Sequence, residues 1–224
     1  MARRPPKSVR PATEEGALRR AIIETAIAMS RDGLSPGRSG NVSARVEGGM
    51  LITPTGLAYE TLDEEQIVFV GADGSRRAGE LKPSSEWLMH LAVYEGKPEA
   101  GAVVHCHSLN ATALACAGKP IPAFHYMVAV AGGMDIPLAP YATFGSGELA
   151  QCVAAALRDR NAALLAHHGQ IACGRDLGAA LDLAREIETL AAQYCQFLKI
   201  GGGPLLDEAE MQRVLQKFCS YGQQ

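Results

Sequence analysis

Ala102-Val103-Val104-His105-Cys106-His107 is an apolar run that closes on two histidines separated by one residue. In a strand, residues i and i+2 point to the same side. His105 and His107 can therefore aim both imidazoles at one point in space, while Cys106 turns the other way, into a core. A second apolar run, Ala162-Ala163-Leu164-Leu165-Ala166, ends in His167-His168-Gly169. A third histidine from that strand end would complete a three-nitrogen metal site. Neighbours on a strand point oppositely, so the residues alone leave His167 and His168 as alternatives. Three protein ligands with an open position is the catalytic zinc pattern, whereas structural zinc sites are closed. A lone His-x-His is also an ordinary strand pattern. It is the second histidine-rich strand end that favours a metal.

Working outward, short strands alternate with helices. Glu14 to Asp32 carries Leu18, Ile22, Ile23, Ala26, Ala28 and Met29 at helical spacing, with Thr13 able to cap its start and Gly33 its end. Asn41 to Val46 and Met50 to Ile52 flank Glu47-Gly48-Gly49, which predicts a hairpin. Ile67 to Val70 reads as a strand. A helix is expected from Pro83-Ser84-Ser85 to Glu95, and another over Leu109 to Ala117. Tyr126 to Ala131 and Pro137 to Ala139 read as strands. Ser146 can cap a helix over Gly147 to Asp159. Ala163 to Ala166 and Gln170 to Cys173 read as strands around the second histidine pair. Asp176 can cap a long amphipathic helix from Leu177 to about Ile200, and Asp207 to Phe218 reads as a last helix. This order predicts an α/β sandwich with a mixed, largely antiparallel central sheet flanked by helices.

The chain has 224 residues, 47% of them hydrophobic, which is ample for one sizeable core. No linker or charge block divides it, so one domain is expected over 14–224, after a basic, solvated tail over 1–13 that carries Arg3, Arg4, Lys7 and Arg10. A net charge of -3 argues against a nucleic-acid surface. No apolar stretch approaches the ~20 residues that span a bilayer, and the start lacks the apolar segment of a secretory signal. The six cysteines form no Cys-x-x-Cys pair and read as reduced thiols of a cytoplasmic protein.

Three polar stretches have the chemistry to hold an anion. Ser84-Ser85-Glu86 opens a predicted helix, where free backbone N–H groups and two hydroxyls favour a phosphate. Ser39-Gly40-Asn41 and Thr55-Gly56 offer close backbone approach with side-chain donors. Each alone is a common turn; their value lies in company. Glu86 has two readings, a carboxylate that complements a helix dipole or a general base between phosphate and metal. Lys82 lies in a polar stretch without the burial that makes a Schiff-base lysine. The nucleotide-binding glycine motifs and the G-x-S-x-G elbow are missing from the sequence.

Several strings, in this order, resemble the class II aldolase/adducin family: Ser39-Gly40-Asn41-Val42-Ser43, Ile52-Thr53-Pro54-Thr55-Gly56, Pro83-Ser84-Ser85-Glu86-Trp87, Val103-Val104-His105-Cys106-His107 and His167-His168-Gly169. Ile121-Pro122-Ala123-Phe124-His125-Tyr126-Met127 and Ala139-Pro140-Tyr141-Ala142-Thr143-Phe144-Gly145 are similar to its L-fuculose-1-phosphate aldolase branch. The resemblance implies one zinc ion per subunit on His105, His107 and His168, with His90, His125 and His167 off the metal. It implies Glu86 as acid/base, touching the metal before substrate arrives. It implies a phosphate cradle of Gly40, Asn41, Thr55, Gly56, Ser84 and Ser85, and Phe144 beside the aldehyde. Tyr126 from a neighbouring subunit would protonate the aldehyde oxygen, and Tyr221 would cover the site.

The implied reaction is cleavage of a ketose 1-phosphate, L-fuculose 1-phosphate above others, into dihydroxyacetone phosphate and lactaldehyde. The implied assembly is a homotetramer with sites at subunit interfaces. Rival enzymes on the same scaffold are a sugar-phosphate dehydratase, a decarboxylase and a pentulose-phosphate 4-epimerase. Epimerases of this kind usually carry Asp in place of Glu86. A non-catalytic adducin-like binding domain would lack the histidines.

Overall fold

The computed structural model describes residues 14–37 and 39–218, so the basic tail, Thr13, Cys219 and Tyr221 lie outside the described residues. Seven strands form one sheet: β1 (Asn41–Val46), β2 (Gly49–Ile52), β3 (Val68–Gly71), β4 (Ala102–Cys106), β5 (Leu138–Ala139), β6 (Ala162–Leu165) and β7 (Gly169–Gly174). Their order is β3-β2-β1-β4-β7-β6-β5. Every neighbouring pair is antiparallel except β5 and β6, which run parallel. The helices are α1 (Glu14–Arg31), α2 (Trp87–Gly96), α3 (Leu109–Cys116), α4 (Gly147–Ala156), α5 (Leu177–Lys199) and α6 (Glu208–Phe218).

Strand alternation assigns the two faces. Ala102, Val104 and Cys106 pack into a core with α1, α3 and α5, while Val103 packs into a second core with α2 and α4. The result is the expected three-layer sandwich with a mixed, mostly antiparallel sheet. In α5 the buried residues Ala180, Leu183, Ala184, Ile187, Leu190, Ala191 and Tyr194 recur at helical spacing, which lays one stripe on the sheet. Truncating a fully buried member such as Ile187 to Ala would cost roughly 2–5 kcal/mol. Asp176 and Ser146 cap α5 and α4 as expected, accepting from the N–H groups of Ala179 and Leu149. Gly33 ends α1 with φ of 74°, while the Leu34 and Gly33 N–H groups return to the carbonyls of Met29 and Ser30.

Two elements differ from expectation. Tyr126–Ala131 is a 3-10 helix, not a strand. Its first turn is capped by His125, whose ring accepts from the Met127 N–H, and Gly132 stops it with φ of 86°. Helix α2 begins at Trp87 rather than at Pro83, because Pro83 is still paired with Pro54 in an isolated antiparallel bridge. Glu86 therefore occupies the capping position of α2 instead of its first turn. Short 3-10 helices at Tyr59–Thr61 and Glu64–Gln66 join β2 to β3.

Candidate active site

Both histidine-bearing strand ends open at one edge of the molecule because β4 pairs with β7 across the middle of the sheet. The His105 Nδ1–H donates to the Gln170 carbonyl on β7 at 2.8 Å, which leaves Nε2 as the free lone pair. His168 sits in the turn between β6 and β7, where its N–H donates to the Leu165 carbonyl at 3.0 Å. The turn is made by His167, the one described non-glycine residue with positive φ, at 54°. A side chain at Gly169 would put Cβ 2.5 Å from the Cys106 carbonyl oxygen and 2.9 Å from the His107 ring. Glycine at that position lets the two histidine-bearing ends close on each other.

Glu86, His105, His107 and His168 each offer a ligand atom, and these atoms all lie within 4.8 Å of one another. The three ring centroids are 4.8 to 4.9 Å apart, with the rings inclined at 73° to 80°. His105 Nε2 faces His107 Nε2 at 3.0 Å, an arrangement in which at most one nitrogen can donate. Glu86 Oε1 lies 3.0 Å from His168 Nε2, and Oε2 lies 3.2 Å from His105 Nε2. Oε1 is buried, with the His168 ring as its neighbour. Imidazole nitrogens converging on a buried carboxylate fit a divalent cation, and the nitrogen-rich set fits zinc among them. Burial by itself would raise the Glu86 carboxyl. The facing His105 and His168 rings overcome that and hold it well below the usual carboxylate range. Burial, reinforced by His105 and His168, pushes His107 down to about 4.

A cavity of about 340 Å³ opens beside the cluster. Gly40, Asn41, Thr55, Gly56, Ser84 and Ser85, the whole predicted cradle, line it together with Phe144, Glu86, His107 and His168. Gly40 is held against β4: a Cβ there would lie 2.7 Å from the His105 carbonyl oxygen. Lys82 does not line this cavity. Among the described residues, His90, His125 and His167 do not join the group of Glu86, His105, His107 and His168. Tyr126 is half exposed and lines a different cavity, of about 820 Å³, between the 3-10 helix and α6. The structure thus does not bring Tyr126 to the cluster of its own chain. Tyr221 lies outside the described residues.

Three features escaped the sequence. Tyr141 and His167 line the cavity wall, their rings 6.0 Å apart in an edge-on contact. Asn41 does more than face the cavity, since its Nδ2 donates to Glu86 Oε2 at 3.0 Å. The available signal was that Asn41 and Ser43 are polar residues two apart on a strand that needed a buried face.

Such a site, three histidines and a carboxylate beside a hydroxyl-lined and amide-lined cavity, has the donors to hold a divalent cation next to an anionic substrate. Residues 20–195 match the model of the class II aldolase and adducin N-terminal domain. The chain is 51% identical over 210 residues to an L-fuculose phosphate aldolase of Escherichia coli strain K12, covering 93% of this chain and 97% of that one. It is 50% identical over 206 residues to the 5-methylthioribulose-1-phosphate/5-deoxyribulose-1-phosphate aldolase of Rhodospirillum rubrum, covering 92% and 93%. A solved L-fuculose 1-phosphate aldolase superposes with a TM-score of 0.87 at 37% identity, covering 91% of this chain and 96% of the other. The chain belongs to the class II aldolase/adducin family. Within it the protein is an aldolase, in the branch that holds the fuculose phosphate enzymes.

Proposed function

We propose that this aldolase uses zinc and cleaves L-fuculose 1-phosphate into dihydroxyacetone phosphate and lactaldehyde. The observation that carries the reading is that Glu86 touches both the histidine cluster and the cavity lined by Gly40, Asn41, Thr55, Gly56, Ser84 and Ser85. In this reading the cradle binds the phosphate through backbone N–H groups and the side chains of Asn41, Thr55, Ser84 and Ser85. Anchoring the non-reacting end fixes the carbon that must react. His105, His107 and His168 hold the zinc, with Glu86 as a further ligand until substrate arrives. Bound there, the ion supplies Lewis-acid stabilisation of the negative charge left when the C3–C4 bond breaks.

The protein's own groups move the protons. Tyr126 of a neighbouring subunit, acting as its phenolate, takes the proton of the C4 hydroxyl, and the C3–C4 bond opens to an aldehyde and an enediolate. Glu86, protonated from solvent before this step, delivers that proton to C3 and yields dihydroxyacetone phosphate, while Tyr126 returns the C4 proton to solvent. In the reverse direction Glu86 removes that proton and Tyr126 protonates the new alkoxide. Phe144 lies beside the aldehyde. Tyr126 can serve this role only across an interface, which supports a homotetramer with shared sites. The five described cysteines are free, Cys106 and Cys173 buried among them, which suits a reducing cytoplasm.

The relative from Rhodospirillum rubrum favours a second substrate, a ketopentose 1-phosphate carrying a 5-deoxy or 5-methylthio group. The two readings share dihydroxyacetone phosphate and differ in the aldehyde. Release of dihydroxyacetone phosphate from a panel of ketose 1-phosphates, with and without chelator, separates them. The mechanism is tested with Glu86→Gln. It is expected to fold, keep its metal and lose at least ~10²-fold in turnover, together with exchange of the C3 proton of dihydroxyacetone phosphate into deuterated water. Exchange at the normal rate in that variant would show that Glu86 only caps α2.

A further inference from the structure

Behind Glu86, away from the cavity, lies a row of buried polar side chains. His90 is fully buried on α2, four residues after Glu86 and therefore on the same helix face. Its Nε2 is 2.5 Å from Asn41 Oδ1, and its Nδ1 is 2.7 Å from Ser43 Oγ. Ser43 Oγ is in turn 2.8 Å from the Tyr94 hydroxyl. Asn41 completes the row by donating from Nδ2 to Glu86 Oε2. Ser43 and His90 are fully buried, and Tyr94 and Asn41 nearly so. None of Ser43, His90 or Tyr94 lines the cavity.

Donor and acceptor chemistry fixes the direction of the whole row. A carboxamide oxygen cannot donate, so His90 Nε2 carries the hydrogen toward Asn41. The neutral ring then accepts at Nδ1, so the Ser43 hydroxyl donates to it. With its hydrogen spent, Ser43 accepts from Tyr94. The alternative is an Asn41 amide turned end for end, which would aim its oxygen at the Glu86 carboxylate and its N–H₂ group at Nε2. A carboxylate oxygen accepts and the Asn41 Nδ2 sits 3.0 Å from Glu86 Oε2, so the turned amide would set acceptor against acceptor. Burial, with His105 nearby, also pushes the His90 ring down to about 3, in keeping with a neutral ring.

We propose that His90 is a positioning residue of the active site: the row Tyr94–Ser43–His90–Asn41, with every donor directed toward Glu86, locks the Asn41 amide so that its N–H holds the catalytic carboxylate in place. The inference rests on the proposed role of Glu86. It adds that a residue touching neither substrate nor metal sets the geometry of proton transfer. Asn41 has one N–H committed to Glu86 and a second free for the phosphate, so the lock also joins the two halves of the site.

Two variants at one position test this. The side chain in His90→Gln can donate to Asn41 through its amide nitrogen and accept from Ser43 through its oxygen. In His90→Met the side chain fills similar space and does neither. Both are expected to fold and to retain the metal content of wild type. His90→Met should slow C3 proton exchange by at least about 10-fold, mostly in turnover rather than KM, while His90→Gln should recover to within about threefold of wild type. Wild-type exchange in His90→Met, or equal losses in both variants, would make His90 a core residue only.

If His90→Met does not fold, Ser43→Ala carries the same test. It should lower exchange turnover by about threefold with metal content unchanged, and wild-type turnover there overturns the lock. A readout free of activity is the nitrogen resonances of His90 in metal-free protein. A protonated Nε2 with a bare Nδ1 is expected; the reverse tautomer contradicts the row. Glu86→Gln runs in parallel. Should it keep exchanging, the functional reading fails; should it lose exchange while His90→Met does not, only the positioning role fails.

Discussion

Asn41 and His105 sit directly opposite each other on the β1–β4 ladder. One rung of the sheet therefore joins a cradle residue to a proposed metal ligand, and the Asn41 amide reaches Glu86 from that rung. An acid of the same shape would keep the bond from His90 and turn a carboxylate oxygen toward Glu86. We predict that Asn41→Asp lowers kcat/KM by at least about 10²-fold, through like-charge contact at a general base and loss of a phosphate donor. Asn41→Ala should be less severe, although it removes more atoms. If the two variants prove equally active, charge at this rung is irrelevant.

Metal binding should follow the cluster. One divalent ion per chain is expected after mild dialysis, absent from a His105→Ala, His168→Ala double variant. The ion should also stabilise the folded chain, by about 2.7 kcal/mol at a free concentration a hundred times its dissociation constant. Elemental analysis and a melting curve with and without chelator measure both effects. Retention of zinc in the folded double variant would disprove the ligand set.

Tyr126 offers a test of shared sites. Inactive Glu86→Gln subunits mixed with severely impaired Tyr126→Phe subunits, after dissociation and reassembly, should regain activity. Some interfaces would then pair an intact Glu86 with an intact Tyr126. Assemblies that demonstrably mix yet recover nothing would remove Tyr126 from the neighbour's site.

A pH effect is expected far from the site. A hydrogen bond from Arg77 lowers the Glu15 carboxyl to about 2 against an opposing effect of partial burial, with help from Arg19. A folded-state value below the ordinary 4.5 means that the stabilisation is present above pH 4.5 and fades as pH falls toward 2. Glu15 is partly exposed, so the contribution is of surface ion-pair size, about 0–1 kcal/mol. Glu15→Gln should therefore unfold at lower denaturant than wild type at pH 7, with the gap narrowing in acid. A gap that widens in acid would reverse the sign assigned here.

Much of this architecture could be read from the chain because strand periodicity is strict. His105 and His107 had to share a side, and Cys106 had to enter the core. The caps at Asp176 and Ser146 followed from local chemistry. Tyr126 to Ala131 misled because a run of Val and Ala satisfies strand and tight helix alike. What decides it is the His125 cap and the stop at Gly132. The start of α2 misled because Pro83-Ser84-Ser85 has helix-opening composition, whereas a long-range bridge to Pro54 holds Pro83 extended. The choice between His167 and His168 needed the turn that His167 makes. The His90 row was invisible because its members come from β1 and α2, and only the folded sheet brings them within reach.

Gly169 closes the gap between strands that lie far apart along the chain: the bond from His105 to the Gln170 carbonyl spans 65 positions. Loops of that length close slowly, and nothing rewards them until β4 and β7 are zipped. The His105-x-His107 pair exists in any local strand, yet His168 joins it only once the centre of the sheet has formed. During synthesis and refolding the nascent chain should therefore hold a divalent ion weakly. Tight capture should then mark the moment at which distant parts of the polypeptide meet, so that an ion held by this cluster would serve as a timestamp of completed folding.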